Sequence, residues 1–239
     1  EGEDRFIFVE WDAKSGSSFI VRMKIVCEDR KQLLKDIIDT IDYATHDPNI
    51  TSIVLNTEKL GRIGFSKLNT IYTYLKTFKD TGKKLISINK NYTKKTYYLS
   101  SLANPIIMNP LGALLLNGFD VKTLYMKDFF ENIMIDINVF YTGKYKSLAE
   151  PYYRNTMSDE NKFQLTQIIT PIWNHIKNTI IENRPISRTQ LNNYITNLDT
   201  LLQTDQLDSL LAQETGLIDN IMPTHELESF LKNQFGEDD

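Results

Sequence analysis

The sequence predicts an α/β fold in which short strands, some of them parallel, alternate with helices. Three observations carry this. Short β-branched apolar runs alternate with helix-spaced segments up to about residue 150, the pattern of βαβ units. Beyond that point the pattern turns mainly helical. The 239 residues suit one domain of this type, or one with a small appendage, and suffice for a core without disulfide staples. The division read from the chain is an α/β core over residues 1–150 and a helical part of the same domain over 151–239.

Phe6 to Trp11 (FIFVEW) and Ser18 to Ile25 (SFIVRMKI) read as strands joined by a polar turn, a hairpin. Arg30 to Thr45 places Leu33, Leu34, Ile37, Ile38, Ile41 and Ala44 at spacings of three and four. That is an amphipathic helix, ended by Asp47-Pro48. Ile50 to Leu55 is a β-branched strand. Leu68, Ile71, Leu75 and Phe78 mark a second helix that stops at Gly82. Lys84 to Ile88 is the next strand and Thr93 to Leu102 the next helix. Pro105 to Met108 and Ala113 to Leu116 are short apolar runs. Leu124 to Ile133 predicts a helix and Ile137 to Tyr141 a strand. Ser158 suits the cap of a long helix, with Asp159 and Glu160 in the first turn, where the helix dipole favours them. Leu165, Ile168, Ile169, Ile172, Ile176 and Ile180 give that helix one apolar face, and Arg184-Pro185 ends it. Ser187 to Ile195 and Asp205 to Glu214 are shorter helical patterns, the second closed by Gly216. Leu217 to Met222 reads as a last strand, His225 to Asn233 as a last helix and Glu237 to Asp239 as a frayed end.

Composition narrows the function classes. Lys plus Arg number 27 against 31 Asp plus Glu, a net charge of −4, which excludes a strongly basic nucleic-acid binder. The many tyrosines therefore read as packing residues with a polar tip rather than a base-stacking surface. Cys27 is the sole cysteine. It forms no internal disulfide, sits at no zinc-ligand spacing with histidine, and reads as a small packing residue. No run reaches the roughly 18 apolar residues of a membrane helix. The chain begins at Glu1 rather than a methionine, and the expectation is a trimmed chain whose membrane anchor lies outside it. Gly-x-Ser-x-Gly, His-Glu-x-x-His, the phosphate loop and the dinucleotide glycine motif do not occur. His46, His175 and His225 are scattered, so a Ser-His-Asp site is not expected. No metal or cofactor is expected.

Two stretches carry a chemical signal. One is Gly143-Lys144-Tyr145-Lys146-Ser147-Leu148-Ala149-Glu150-Pro151-Tyr152, followed by Arg154 and Met157-Ser158. It lies between an expected strand and a long helix, a usual place for functional residues in α/β folds. The other runs from Asn91 to Ile106, with Asn109-Pro110-Leu111-Gly112 and Asn117-Gly118-Phe119 behind it. Together they resemble the signal peptide peptidase A family, also called protease IV, of the ClpP/crotonase superfamily. The pattern G-x-Y-K-S-A-x-E-P-F…R-x-x-M-S is matched from Gly143 to Ser158, with Leu148 where alanine is usual. The pattern Y-Y-L-A-S-x-A-x-x-I…P-x-G is matched from Tyr97 to Gly112. Thr81-Gly82-Lys83 and Gly216-Leu217-Ile218-Asp219 resemble two further family segments, and the resemblance runs over about residues 30–222.

The resemblance implies a ClpP/crotonase-like fold of repeated ββα units with a helical C-terminal part. It also implies a Ser-Lys dyad with Lys146 as general base. An amine is a base only when neutral, and burial disfavours the ammonium. Tyr145 and Leu148 are expected to supply the apolar surroundings. Lys144 would point the same way as Lys146 in an extended segment, so a local turn is expected, or a Lys144 that stays in water. Glu150 and Arg154 admit two roles: orienting the lysine segment, or forming a surface pair worth under ~1 kcal/mol.

The family nucleophile is missing. Its serine stands in A-S-G-G-Y-Y; the tyrosine pair aligns Lys94 with that serine and Lys95-Thr96 with the two glycines. Those glycines make the tight turn and the oxyanion hole, which Lys95 and Thr96 do not easily replace. Thr93, one position away, is a weak substitute without such a loop. The family's long form has two homologous halves, one supplying lysine and the other serine. This chain resembles the first. The resemblance further implies hydrophobic peptides, chiefly cleaved signal peptides, as substrates, and a C-terminal catalytic half as partner. It implies a homo-oligomer, a tetramer, on the periplasmic side of the bacterial inner membrane. Two other readings remain. One is a non-catalytic pseudoprotease or assembly module. The other is enoyl-CoA hydratase-type chemistry, for which no acidic pair on a glycine-rich loop is seen.

Overall fold

A computed structural model describes residues 8–12, 19–24, 32–61, 63–140, 143, 145–201 and 207–235. In chain order the elements are β1 (Phe8–Asp12), β2 (Phe19–Lys24), α1 (Gln32–His46), β3 (Ile50–Asn56), α2 (Phe65–Asp80), β4 (Lys84–Asn89), β5 (Tyr92–Thr93) and α3 (Lys94–Ser100). Next come β6 (Ile106–Met108), β7 (Leu114–Leu115), α4 (Lys127–Asn132), α5 (Glu150–Tyr153), α6 (Asp159–Asn183), α7 (Arg188–Leu201), α8 (Asp208–Glu214), β8 (Asn220–Ile221) and α9 (Thr224–Phe235). The chain divides into two compact units: residues 1–117 with 179–239, and residues 118–178. This division does not follow chain order, as the split at residue 150 does.

The first unit is built on a sheet of order β1-β2-β3-β4-β6-β8. The β1–β2 hairpin is antiparallel, and every later pairing in that sheet is parallel. The expected α/β class with a parallel sheet and a helical C-terminal part is therefore the class observed. β3 and β4 explain their own sequences. Ile53, Val54, Leu55, Leu85, Ile86 and Ile88 are all buried, at successive rather than alternate positions. A parallel strand covered on both faces needs that continuous apolar run. On one face Val54, Ile86, Ile88 and Ile107 cluster with Leu231 of α9, and Met222, Leu227 and Phe230 pack against them. α1 lies against α2, and α2 against α3.

Polar groups lock this core. The Lys83 amine donates to the carbonyls of Ala44, Thr45 and Asp47 at 2.6, 2.9 and 2.7 Å, so it caps the C-terminus of α1. Those carbonyls have no intrahelical partner, and the helix dipole favours a cation there. Partial burial holds the Lys83 amine below its usual pKa, against the opposing charge of Asp47. Gly82 ends α2 with φ +85°, a conformation other residues resist. Gly112 is needed for a different reason: a Cβ there would lie 2.0 Å from the Lys90 carbonyl oxygen. Tyr92, Tyr97 and Tyr98 are fully buried. Their hydroxyls donate to the Ile107 carbonyl at 2.9 Å, the Leu217 carbonyl, and Asn69 Oδ1 at 2.7 Å. These are packing tyrosines, as expected.

The last strand is held by an ion pair. Arg184, just past α6, donates to both carboxylate oxygens of Asp219 at 3.0 and 2.7 Å. It also donates twice to the Gly216 carbonyl, at 3.1 and 2.8 Å. Asp219 in turn accepts the Ile106 N–H at 2.7 Å. The resemblance segment Gly216 to Asp219 is thus a structural latch.

In the second unit, α4 and α5 meet through the Met126 N–H, which donates to the Pro151 carbonyl at 2.7 Å. The Asn155 amide donates to Asp128 at 2.7 Å. Phe119 meets Trp173 edge to face, with ring centroids 5.9 Å apart.

Several expectations need correction. Residues 137–140 of the expected strand Ile137 to Tyr141 form no strand; Ile137 and Phe140 are 37% and 95% exposed. Strand propensity is chiefly a fit to a half-buried pleated surface, and residues this exposed have none to fit. The helix expected from Leu124 to Ile133 shortens to α4. The apolar face of α6 is fully buried only at Ile176 and Ile180, whereas Ile168 is 61% exposed. Cys27 and Glu237 to Asp239 lie outside the described residues.

The latch makes a prediction. Replacing Arg184 with Met leaves the Asp219 carboxylate and the Gly216 carbonyl without their guanidinium. This should cost about 3 kcal/mol or more, read as a lower urea midpoint at unchanged slope. Gly112→Ala should be at least as damaging, because a backbone oxygen rather than a flexible side chain stands in the way.

Candidate functional site

The start of α3 occupies the place where the resemblance puts a nucleophile. Thr93 is its N-cap. The Thr96 N–H donates to Thr93 Oγ1 at 3.3 Å, and the Thr93 N–H donates to Thr96 Oγ1 at 2.7 Å, a reciprocal capping box. The Thr93 hydroxyl therefore serves a cap, which leaves it poorly suited to attack. Lys94 reaches Asn117, donating to its carbonyl at 3.0 Å and its side-chain oxygen at 3.4 Å. The Lys95 amine donates to the Ile63 carbonyl at 2.8 Å. The two positions that would be glycines thus hold a lysine bound to a neighbouring loop and a buried threonine. This helix start is built as a capped structural element.

Lys146 lies in the second unit, in a turn closed by its own N–H donating to the Gly143 carbonyl at 3.3 Å. Gly143 has φ +103°. The expected local turn is present, and Lys144 lies outside the described residues. The expected apolar surroundings are not: Tyr145 is 56% and Leu148 92% exposed, and Lys146 is itself exposed. Among the described residues its amine makes no hydrogen bond or ion pair.

Glu150, four residues on, is the buried group of this segment, at 4% exposed. Its carboxylate accepts from the Ser158 N–H at 3.1 Å, from the Ser158 hydroxyl, and from the Asn161 amide at 3.2 Å. Ser158 Oγ also accepts the Asn161 N–H at 3.1 Å, so it caps α6 as the sequence suggests. Burial pushes the Glu150 carboxyl up, but the bonds from Ser158 and Asn161 and the Arg154 charge outweigh it. They hold the group below its ordinary 4.5. Arg154 Nε donates to the Thr156 carbonyl at 3.1 Å. The sequence leaves the role of Glu150 open. Its partners eight and eleven residues on become visible only in the fold, although a Glu-Pro ahead of a capped acidic helix start is the signal that points to them.

A profile of peptidase family S49 matches residues 77–232. The chain belongs to this family. Protease 4 of Haemophilus influenzae is 29% identical over 212 residues, covering 87% of this chain and 34% of the relative. Protease 4 of Salmonella typhi is 32% identical over 204 residues, covering 85% and 33%. The chain thus spans about a third of the length of the curated relatives it matches. Among solved structures, an enoyl-CoA hydratase/isomerase family protein from Silicibacter pomeroyi aligns with TM-score 0.44 and 12% identity, covering 91% of this chain and 77% of that one. A likeness this weak supports nothing further about the S49 chain.

The Glu150 clamp has a pH signature. Its folded-state value is depressed, so its stabilising share is present above the ordinary 4.5 and is lost as pH falls through the lower folded value. In urea titrations at several pH values, the gap between parent and Glu150→Gln should be widest above pH 4.5 and should close on acidification. A gap independent of pH would contradict the clamp.

Proposed function

We propose that this S49 chain is the lysine-contributing N-terminal half of a bacterial signal peptide peptidase. Its Lys146 is the general base of a Ser-Lys dyad, and a C-terminal half absent from this chain supplies the serine. One observation carries the reading. The lysine segment keeps its family pattern and its amine is unengaged among the described residues, while the start of α3 has a cap and two tethered lysines where the nucleophile loop would stand.

In this reading the neutral Lys146 amine takes the serine hydroxyl proton as Oγ attacks the peptide carbonyl. It then delivers that proton to the leaving amine. Water, activated by the same amine, cleaves the acyl-enzyme. Backbone N–H groups beside the serine, in the other half, would hold the oxyanion. The chemistry requires desolvation of Lys146, whose side chain is exposed among the described residues. In this reading the other half, the substrate or another subunit covers the amine. Substrates are hydrophobic peptides, chiefly cleaved signal peptides. Residues 151–239 serve packing and oligomerisation in a tetramer, placed on the periplasmic side of the inner membrane. No helix of the described residues is long and apolar enough to cross a membrane.

Mixing this chain with its separately expressed C-terminal half should restore cleavage of a fluorogenic hydrophobic peptide, and Lys146→Ala should reduce it by at least about 100-fold. Cleavage that survives Lys146→Ala would remove the base assignment. A mixture that assembles without cleaving would make this chain an assembly module.

A further inference from the structure

Among the described residues, the turn that carries Lys146 has little to hold it. Tyr145, Lys146 and Leu148 face solvent, and the backbone bonds given for its described residues are short-range: Lys146 N–H to the Gly143 carbonyl, Glu150 N–H to the Ser147 carbonyl and Tyr152 N–H to the Ala149 carbonyl. The chain from Glu150 onward is held firmly. Glu150 opens α5 and buries its carboxylate on the first turn of α6, against the Ser158 N–H and hydroxyl and the Asn161 amide. α6 has 25 residues, and the positive end of its dipole faces this carboxylate. Ser158 is at once the cap of α6 and the seat of Glu150. On the far side of Glu150, the Pro151 carbonyl is held by the Met126 N–H at 2.7 Å. The segment is thus anchored where it joins α5, and three residues separate that anchor from Lys146.

We infer that Glu150 is a positioning residue for Lys146: seated on Ser158 and Asn161, it fixes the foot of the turn and so sets where the amine is presented. This rests on the proposed role of Lys146 as base. The depressed carboxyl of Glu150 agrees with a group that stays charged at working pH. The charged and titratable groups around it are Arg154, at the end of α5, and Tyr125, from the segment before α4.

The test uses the active protein with its serine half present and a fluorogenic hydrophobic peptide as probe. Glu150→Ala should lower kcat roughly 10–100-fold with KM changed less than about twofold, because the amine is displaced rather than the substrate pocket. The ascending limb of the kcat–pH profile should also move to higher pH, since a displaced amine is better hydrated and harder to deprotonate. Glu150→Gln keeps the shape but loses the charge and one acceptor, and should fall between. If Glu150→Ala does not fold, Glu150→Gln and Ser158→Ala decide by the same two readouts. Folded variants with the parent's kcat, or with a lowered kcat but an unmoved pH limb, would overturn the inference. Lys146→Ala is run beside them: if it keeps the parent's activity, the base assignment fails and the inference with it. Loss in Lys146→Ala with no effect at Glu150 overturns the inference alone.

Discussion

The Arg184 guanidinium is the contact on which the core's closing edge depends. β8 is two residues long, too short to hold a sheet edge by ladder bonds alone. Arg184 binds Asp219 and the Gly216 carbonyl together, and Asp219 binds the N–H of Ile106 at the start of β6. One nearly buried cation thus ties the end of α6, the turn after α8 and two strands. α9 comes directly after and closes one sheet face through Leu231. Removing Asp219 would leave the buried guanidinium charge uncompensated, which is why such pairs are costly to break even when they add little net stability.

The second constraint concerns where charge can be lost. A lysine becomes a base only by desolvation, and a serine becomes a nucleophile only beside a base and an oxyanion site. In the proposed reading the two requirements fall to two halves of the protein. The start of α3 spends its hydroxyls on capping and its lysines on neighbouring carbonyls, while Lys146 stands in solvent with its turn anchored through Glu150. Both arrangements agree with the proposed division of the site.

Much of the fold was legible because both-faces-buried strands and helix-spaced apolar residues leave distinct patterns. Ile50 to Leu55, Lys84 to Ile88 and the helix ending at Gly82 were readable for that reason. Ile137 to Tyr141 was misread because local propensity does not show whether a neighbouring strand exists. The apolar face of α6 was readable, but its exposure at Ile168 was not, since periodicity reports a face and not what covers it. At the candidate site, the family pattern alone singles out Lys146, whereas the Ser158 cap was legible from cap chemistry. The Glu150 seat was hidden because it pairs residues across an intervening turn. The failed apolar shelter of Tyr145 and Leu148 has the same origin: neighbours in sequence are not neighbours in a core.

The most direct test of the divided site is the reactivity of the Lys146 amine toward an acetylating reagent, followed by mass spectrometry of the modified peptide. The account predicts rapid labelling in this chain alone, strong protection once the serine half is added, and no restored cleavage when a chain labelled beforehand is mixed in. Equal labelling with and without that half, together with cleavage that survives labelling, would contradict it.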